Sequence, residues 1–263
     1  MDLNLRDKTA VVTAASHGIG KACAMRLAQE GANVVICARG QEALVKTTEE
    51  ISAATGQQVE WVQADLTKSG DIDILIDATT VAFGDIDILV TNGGGPKRGD
   101  FMALEESDWK SAYDGLLMST VRLIRAAIPH MRNSKSGRII NLTSVAVLQP
   151  IDGLMLSNAM RAAVTGMAKT LARELAPVNI TVNNVAPGYT LTNRIYDLAM
   201  EEAKEQGISH EEVMADYHRS IPLERMARPE EIADLVAFLA SSRAGYITGA
   251  TIPIDGGYHL GLI

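Results

Sequence analysis

The sequence predicts an α/β fold: one doubly wound parallel sheet with helices on both faces. Three observations carry this. Short β-branched runs alternate with longer stretches of helical periodicity along nearly the whole chain. A glycine-bearing turn follows the first of those runs and opens a helix. No Pro- or Ser-rich linker interrupts the alternation, so the 263 residues read as a single domain.

The elements follow in order. "TAVVTAA" (9–15) reads as a buried strand. In "IGKACAMRLAQEG" the apolar Ile19, Cys23 and Leu27 fall at helical spacing, and Gly31 stops the helix. "NVVICA" (33–38) is a second strand, a polar-faced helix then runs to Gly56, and "VEWVQAD" (59–65) is a third strand. The pentapeptide DIDIL occurs at 71–75 and at 85–89, and its flanks predict two structures. The first copy follows Ser69 and Gly70 and leads a helix with acids in its first turn. The second follows Gly84 and enters a strand over 86–94. Then come a long helix at 108–132, a strand at 137–144, a helix at 157–176, a strand at 180–188, a polar segment at 190–228, a helix at 229–241 and a last strand at 250–255.

Composition bounds the partners. Apolar residues make up 47% and charged residues 21%, which suits a globular chain and argues against disorder. The net charge of −8 argues against nucleic acid or an anionic membrane, while local basic residues can still hold a small anionic molecule. The N-terminal stretch lacks the apolar region of a signal peptide, and no apolar run reaches the roughly 20 residues of a membrane span. Cys23 and Cys37 each sit in an apolar stretch and read as buried, reduced thiols, in keeping with a cytoplasmic location.

"TAASHGIGKA" (13–22) brings strand, turn and helix together. Gly18 and Gly20 stand at the mouth of the helix, where free amides and the helix dipole favour an anion. Glycines there let a backbone approach a dinucleotide pyrophosphate, which makes the sheet Rossmann-type. The plainer alternative is a structural βα turn.

Taken with later motifs, this loop resembles the short-chain dehydrogenase/reductase family over essentially the whole chain. The similarity is greatest to its 3-oxoacyl-carrier-protein reductase and glucose dehydrogenase branch. The family loop TGxxxGIG aligns with Thr13–Gly20, with Ala14 in place of the first glycine. If that position needs positive φ, alanine is disfavoured there. The resemblance implies cofactor contacts from Thr13, Ser16, His17, Gly18, Ile19 and Gly20 in this loop. It adds Asp65 and Leu66 in "ADLT", Asn92 and Gly93 in "TNGG", and Pro187, Gly188, Thr190 and Thr192 in "APGYTLT". It implies no metal, and a homo-oligomer, most often a tetramer, built through the helices at 109–131 and 157–176. Segment 190–228 is the expected substrate lid.

An acid at the end of the second strand usually binds the ribose diol of NAD. Here Ala38 holds that place and Arg39 follows it, while His17 lies in the loop. A guanidinium without a competing carboxylate suits a 2′-phosphate, so NADP(H) is favoured over NAD(H). The alternative for Arg39 is a solvated turn residue.

The resemblance also implies a catalytic Asn, Ser, Tyr and Lys. Carried over one by one, the serine falls on Ser144, the tyrosine on Ser157, the lysine on Arg161 and the asparagine on Leu116. An aliphatic hydroxyl is a far weaker acid than a phenol and is much shorter. Arg161 is a pure donor that can still contact the cofactor's nicotinamide ribose. Leucine cannot hold the water that the family asparagine positions. Ser144, Ser157 and Arg161 are the candidate catalytic residues. The plain readings are a helix N-cap or N-terminal residue for Ser157 and a strand-end serine bonding its own backbone for Ser144. Tyr113, Tyr189 and Tyr196 are possible replacement acids, Tyr189 first among them. Three functions stay open: a carbonyl/alcohol oxidoreductase with altered proton handling, a cofactor-binding protein with little turnover, and a non-redox isomerisation or lyase step in the same pocket.

Overall fold

The computed structural model describes residues 2–134 and 136–262. Seven strands form one parallel sheet: β1 (Thr9–Thr13), β2 (Asn33–Ala38), β3 (Val59–Gln63), β4 (Ile88–Thr91), β5 (Gly137–Leu142), β6 (Ile180–Pro187) and β7 (Thr251–Ile254). Their spatial order is β3-β2-β1-β4-β5-β6-β7. The expected doubly wound sheet is therefore present. The strands are apolar at successive positions because both faces are covered. In β1, Ala10 and Val12 join a core with α1 (Gly18–Gln29), α2 (Gln41–Thr55) and α9 (Pro229–Ala240). Val11 points the other way, into a core with α3 (Ser69–Phe83), α5 (Ser119–Ser134) and α6 (Met155–Leu175).

Chain order reverses between β1 and β4, the topological switch point where such sheets open a crevice at the carboxyl ends of the strands. Six of the seven predicted strands extend past the observed ones at these ends, β2 alone matching its expected 33–38, because the chain leaves the ladder there to build crevice loops. The first DIDIL copy lies inside α3, and only Ile88 and Leu89 of the second join β4. Asp87, still before the strand, accepts from the amide of Thr9 at 3.0 Å and pairs with Lys8 Nζ at 2.9 Å.

Two expectations are corrected. The helix at 108–132 is α4 (Glu106–Ala112), a π-helical turn (Tyr113–Met118) and then α5. The Ser119 and Thr120 hydroxyls donate to the carbonyls of Gly115 and Leu116, both at 2.8 Å, supplying donors where the backbone ladder shifts. The polar segment 190–228 contains α7 (Asn193–Gln206) and α8 (His210–Ser220), which share a small core with Ile195, Ala199, Val213 and Tyr217. Ser209 and Glu212 form a capping box at the start of α8.

Both cysteines are free and buried, as expected, and burial pushes their thiols up, Cys37 to about 12. Among the described residues no helix is long and apolar enough to cross a membrane.

Ala14, just past β1, has φ +47°. Its carbonyl accepts from Asn92 Nδ2 at 3.3 Å, and a Cβ on Gly20 would lie 2.5 Å from the same oxygen. The turn is thus held from two sides with an L-residue in the left-handed region, at a cost of about 1–2 kcal/mol. Ala14→Gly should raise stability by about 0.5–1 kcal/mol, net of the freedom glycine adds to the unfolded chain. The check is a higher urea midpoint at unchanged m-value.

Candidate active site

The crevice is assembled from the residues that follow each strand. After β1, α1 begins at Gly18 with His17 as N-cap, and no side chain caps its first amides. They are left as donors for an anion. The loop is pinned from α2 by Thr47 Oγ1, which donates to the Ser16 carbonyl at 2.9 Å, while Ser16 Oγ pairs with His17 Nδ1 at 3.1 Å. Gly18 has φ +55°, and a Cβ there would meet Thr192 Cγ2 at 3.2 Å. The loops after β1 and β6 therefore face each other across the crevice. Gly188 is also required by space, since a Cβ would lie 2.8 Å from Asp255 Cα.

Thr13 is fully buried. Its hydroxyl donates to the Asn92 carbonyl and accepts from the Asn92 amide, both at 2.8 Å, so it locks the ends of β1 and β4 together. Thr190 is buried as well, with its hydroxyl on the Gly188 carbonyl at 3.1 Å.

At the far end of the crevice Arg39 is exposed, and among the described residues its guanidinium has no ion-pair partner. Asp65, after β3, accepts from the Thr67 hydroxyl at 2.8 Å and the Thr67 amide at 3.1 Å. These bonds, with smaller help from Lys68 and Arg39, hold its carboxyl below the usual carboxylate range.

The near end is built by β4, β5 and α6. Ser144 Oγ accepts from the Ala146 amide at 3.2 Å and caps the turn Val145–Val147. Ser157 is buried, and its oxygen accepts from Arg161 Nε at 3.2 Å. Arg161 Nη1 donates to the carbonyls of Leu142 (2.9 Å) and Thr143 (3.1 Å), and Nη2 reaches the Gly93 carbonyl at 3.5 Å. Burial, and then the nearby charge of Arg194, push the Arg161 guanidinium down to about 10. It remains charged at neutral pH. Arg161 and Leu116 line a cavity of about 10 Å³ together with Asn92, Ser119 and Thr143. That is room for about one water.

A family model described as Enoyl-(Acyl carrier protein) reductase matches residues 13–259. The chain belongs to the short-chain dehydrogenase/reductase family. It is 37% identical to the 3-oxoacyl-(acyl-carrier-protein) reductase FabG of Staphylococcus epidermidis, over 97% of this chain and 100% of that protein. The crystal structure of L-sorbose reductase from Gluconobacter frateurii, complexed with NADPH and L-sorbose, superposes with a TM-score of 0.95 at 33% identity, covering 100% of both chains. The actinorhodin polyketide ketoreductase with NADPH gives 0.92 at 30% identity over 95% of this chain and 97% of that one. The protein is thus an oxidoreductase of the short-chain type.

For a short-chain dehydrogenase/reductase the sequence-predicted residues are well gathered, since they lie at or past the carboxyl edge of the sheet or in the first two turns of α6. Ser157 is not the N-cap of α6. That place belongs to Leu154, and Ser157 is the third helical residue. Ser144 does bond its own backbone, as the plainer reading had it. Tyr189 is a packing residue, stacked on Tyr217 at 4.6 Å and edge-on to Tyr258 at 5.3 Å. Burial raises its pKa, which makes it a poorer proton donor than a free phenol. Tyr113 and Tyr196 are exposed. Sequence reasoning missed Arg98 and Arg194. Arg98 Nη1 contacts the Leu198 carbonyl at 3.3 Å and Glu202 Oε2 at 3.4 Å, and Arg194 Nη2 donates to the Pro96 carbonyl at 3.1 Å. Neither belongs to a motif, so spacing gave no signal for them.

Removing the Arg161 fork leaves the carbonyls of Leu142 and Thr143 without this donor. Arg161→Ala should destabilise the protein by about 2 kcal/mol, while Ser157→Ala should cost about 1 kcal/mol or less. Chemical unfolding followed by circular dichroism measures both.

Proposed function

We propose that this protein is an NADP(H)-dependent oxidoreductase of a carbonyl or alcohol substrate in which no phenol handles the proton. The observation that carries the reading is the engagement of Ser157 with Arg161, at the positions where the family resemblance expects tyrosine and lysine. The crevice fits the cofactor by its donor set. The uncapped start of α1 supplies amides for a pyrophosphate. Arg39 and exposed His17 stand beside a strand end that has Ala38 instead of an acid, which suits a 2′-phosphate. The NADPH-bound L-sorbose reductase and polyketide ketoreductase agree with this choice.

When bound, the nicotinamide supplies or takes up the hydride. The chain's own part is positioning and charge. Ser144 hydrogen-bonds the substrate oxygen, since among the described residues its hydroxyl accepts from Ala146 and has its proton to give. Arg161 stabilises negative charge on that oxygen through its field and, by one of its donors, orients the nicotinamide ribose. The proton comes from water, because Ser157 is a weak acid whose oxygen is committed to Arg161. Leu116 leaves about 10 Å³ beside Arg161, too little for a chain of waters. The active unit in this reading is a cytoplasmic homotetramer built through α5 and α6.

A second reading has a specific observation in its favour. Arg161 spends Nε and Nη1 on the protein itself. That suits a cofactor-binding protein with little or no redox turnover, a sensor or an assembly subunit.

Two experiments decide. Fluorescence titration should show NADPH bound more tightly than NADH. Arg39→Ala should weaken NADPH about tenfold and leave NADH unchanged. Failure of both nucleotides to bind overturns the cofactor assignment. Turnover with NADPH and a panel of aldehydes, ketones and 3-oxoacyl thioesters then separates the readings. Ser157→Tyr with Arg161→Lys should raise the rate about 10²-fold or more, the scale of general acid catalysis. Slow native turnover that collapses with Ser144→Ala supports the enzyme. Nucleotide binding without turnover across the panel supports the second reading.

A further inference from the structure

The crevice holds two guanidiniums on one short loop. Arg161 reaches the Gly93 carbonyl from α6, and Arg194, in the first turn of α7, donates to the Pro96 carbonyl three residues on. Gly95 lies between. A Cβ on it would stand 2.7 Å from Arg194 Nε and 2.9 Å from Nη2, so the bare backbone is what lets the guanidinium lie against the loop. Among the described residues neither arginine forms an ion pair, and Arg194 Nε and Nη1 have no acceptor. Arg98, close by, is treated differently. It has Glu202 at 3.4 Å, and that carboxylate also accepts from Tyr217 Oη at 2.6 Å.

Carboxylates are not in short supply, since the chain has 32 Asp and Glu against 24 Lys and Arg. Asp197, one turn along α7, is exposed and makes no ion pair with Arg194. Two neighbouring cations left without a carboxylate in a partly buried place repel each other, which costs stability unless an anion arrives. Burial first, and then the charge of Arg194, lower the Arg161 guanidinium, in the direction such repulsion requires.

We infer that the substrate carries a carboxylate, and that Arg194 is the specificity-determining residue that binds it through its free Nη1, since the Nε–Nη2 edge lies against Gly95. Arg161, behind it, adds charge and no direct grip. The two N–H groups of Arg194 Nη1 give a carboxylate a charge-assisted hydrogen bond. The substrate class is then an oxo acid or hydroxy acid whose carbonyl or hydroxyl carbon lies toward Ser144. The inference rests on the oxidoreductase reading for the reacting carbon, and on the loop geometry alone for the anion. A cofactor phosphate offers the same chemistry, so the test must separate the two sources.

The protein, with and without NADPH, is titrated calorimetrically with 2-oxopentanoate and 4-oxopentanoate, each against its uncharged methyl ester. Binding is the readout, so turnover is not needed. The expected result is at least one acid bound about tenfold more tightly than its ester. Arg194→Gln should abolish that preference and Arg194→Lys keep part of it, both with unchanged NADPH affinity. Equal binding of acid and ester overturns the inference, as does the absence of any acid binding below about 10 mM. A loss of NADPH affinity in Arg194→Gln also overturns it, and assigns Arg194 to the cofactor. Failure of NADPH to bind the unsubstituted protein defeats the oxidoreductase reading instead, and acid preference in the nucleotide-free protein is still read.

Discussion

Arg161 is the interaction on which the rest of the crevice depends. The carboxyl ends of β4 and β5 expose carbonyls where the sheet stops, and parallel strands give them no further partner. One guanidinium reaches the carbonyls of Leu142, Thr143 and Gly93 from α6, with Nε on Ser157. Only a planar fork with five N–H groups spreads over such a set. A lysine ammonium is a point charge with three donors. The arrangement fixes the distance between α6 and the strand ends, and so the width of the crevice. Its cost is desolvation, which brings the guanidinium to about 10 without discharging it at neutral pH.

That fixed charge belongs to a wider asymmetry. The chain is acidic, with a net charge of −8, yet its crevice carries Arg39, Arg161 and Arg194 on loops or in the N-terminal halves of helices at one edge of the sheet. A concave edge where three guanidiniums stand against the carboxylate of Asp65 keeps a net positive field there. An overall negative charge argues against polyanions as partners and still permits a small anion to be held in this crevice. The free amides at the start of α1 add to the same sign.

Much of this was legible in the sequence, and the limits have physical reasons. The alternation of β-branched runs with helical periods gave the seven strands, because a parallel sheet covered on both faces must be apolar at successive positions. Flanking residues placed the first DIDIL copy inside α3, although the second was only half strand. Strand ends were overextended, since β-propensity does not report where the ladder gives way to a loop. The π-helical turn at Tyr113–Met118 went unread because its support comes from single hydroxyls, Ser119 and Thr120, which look like ordinary helix residues. The helices in 190–228 did have a signal: Ile195, Ala199 and Ala203 stand four apart, and Ser209–Glu212 spells a capping box. Composition hid it. Arg194 had none, because its meaning depends on Gly95, nearly a hundred positions earlier.

Ser157 and Arg161 are best understood as one unit. A serine at the third position of α6 is buried, and an unpartnered buried hydroxyl is costly. Arg161 Nε relieves that cost, and the serine in turn gives the guanidinium a fourth acceptor. A phenol at the same place would project past this contact into the crevice, leaving Nε without its partner. A lysine at 161, with three donors, would leave at least one of these four acceptors without its partner. Each substitution thus makes sense in the presence of the other, and their energies should not add. The pair exchanges a long, titratable side chain aimed outward for a short one tied inward, with the charge turned toward the strand ends. What this end of the crevice keeps for a substrate is then the hydroxyl of Ser144 and the free Nη1 of Arg194, one suited to an oxygen and the other to an anion.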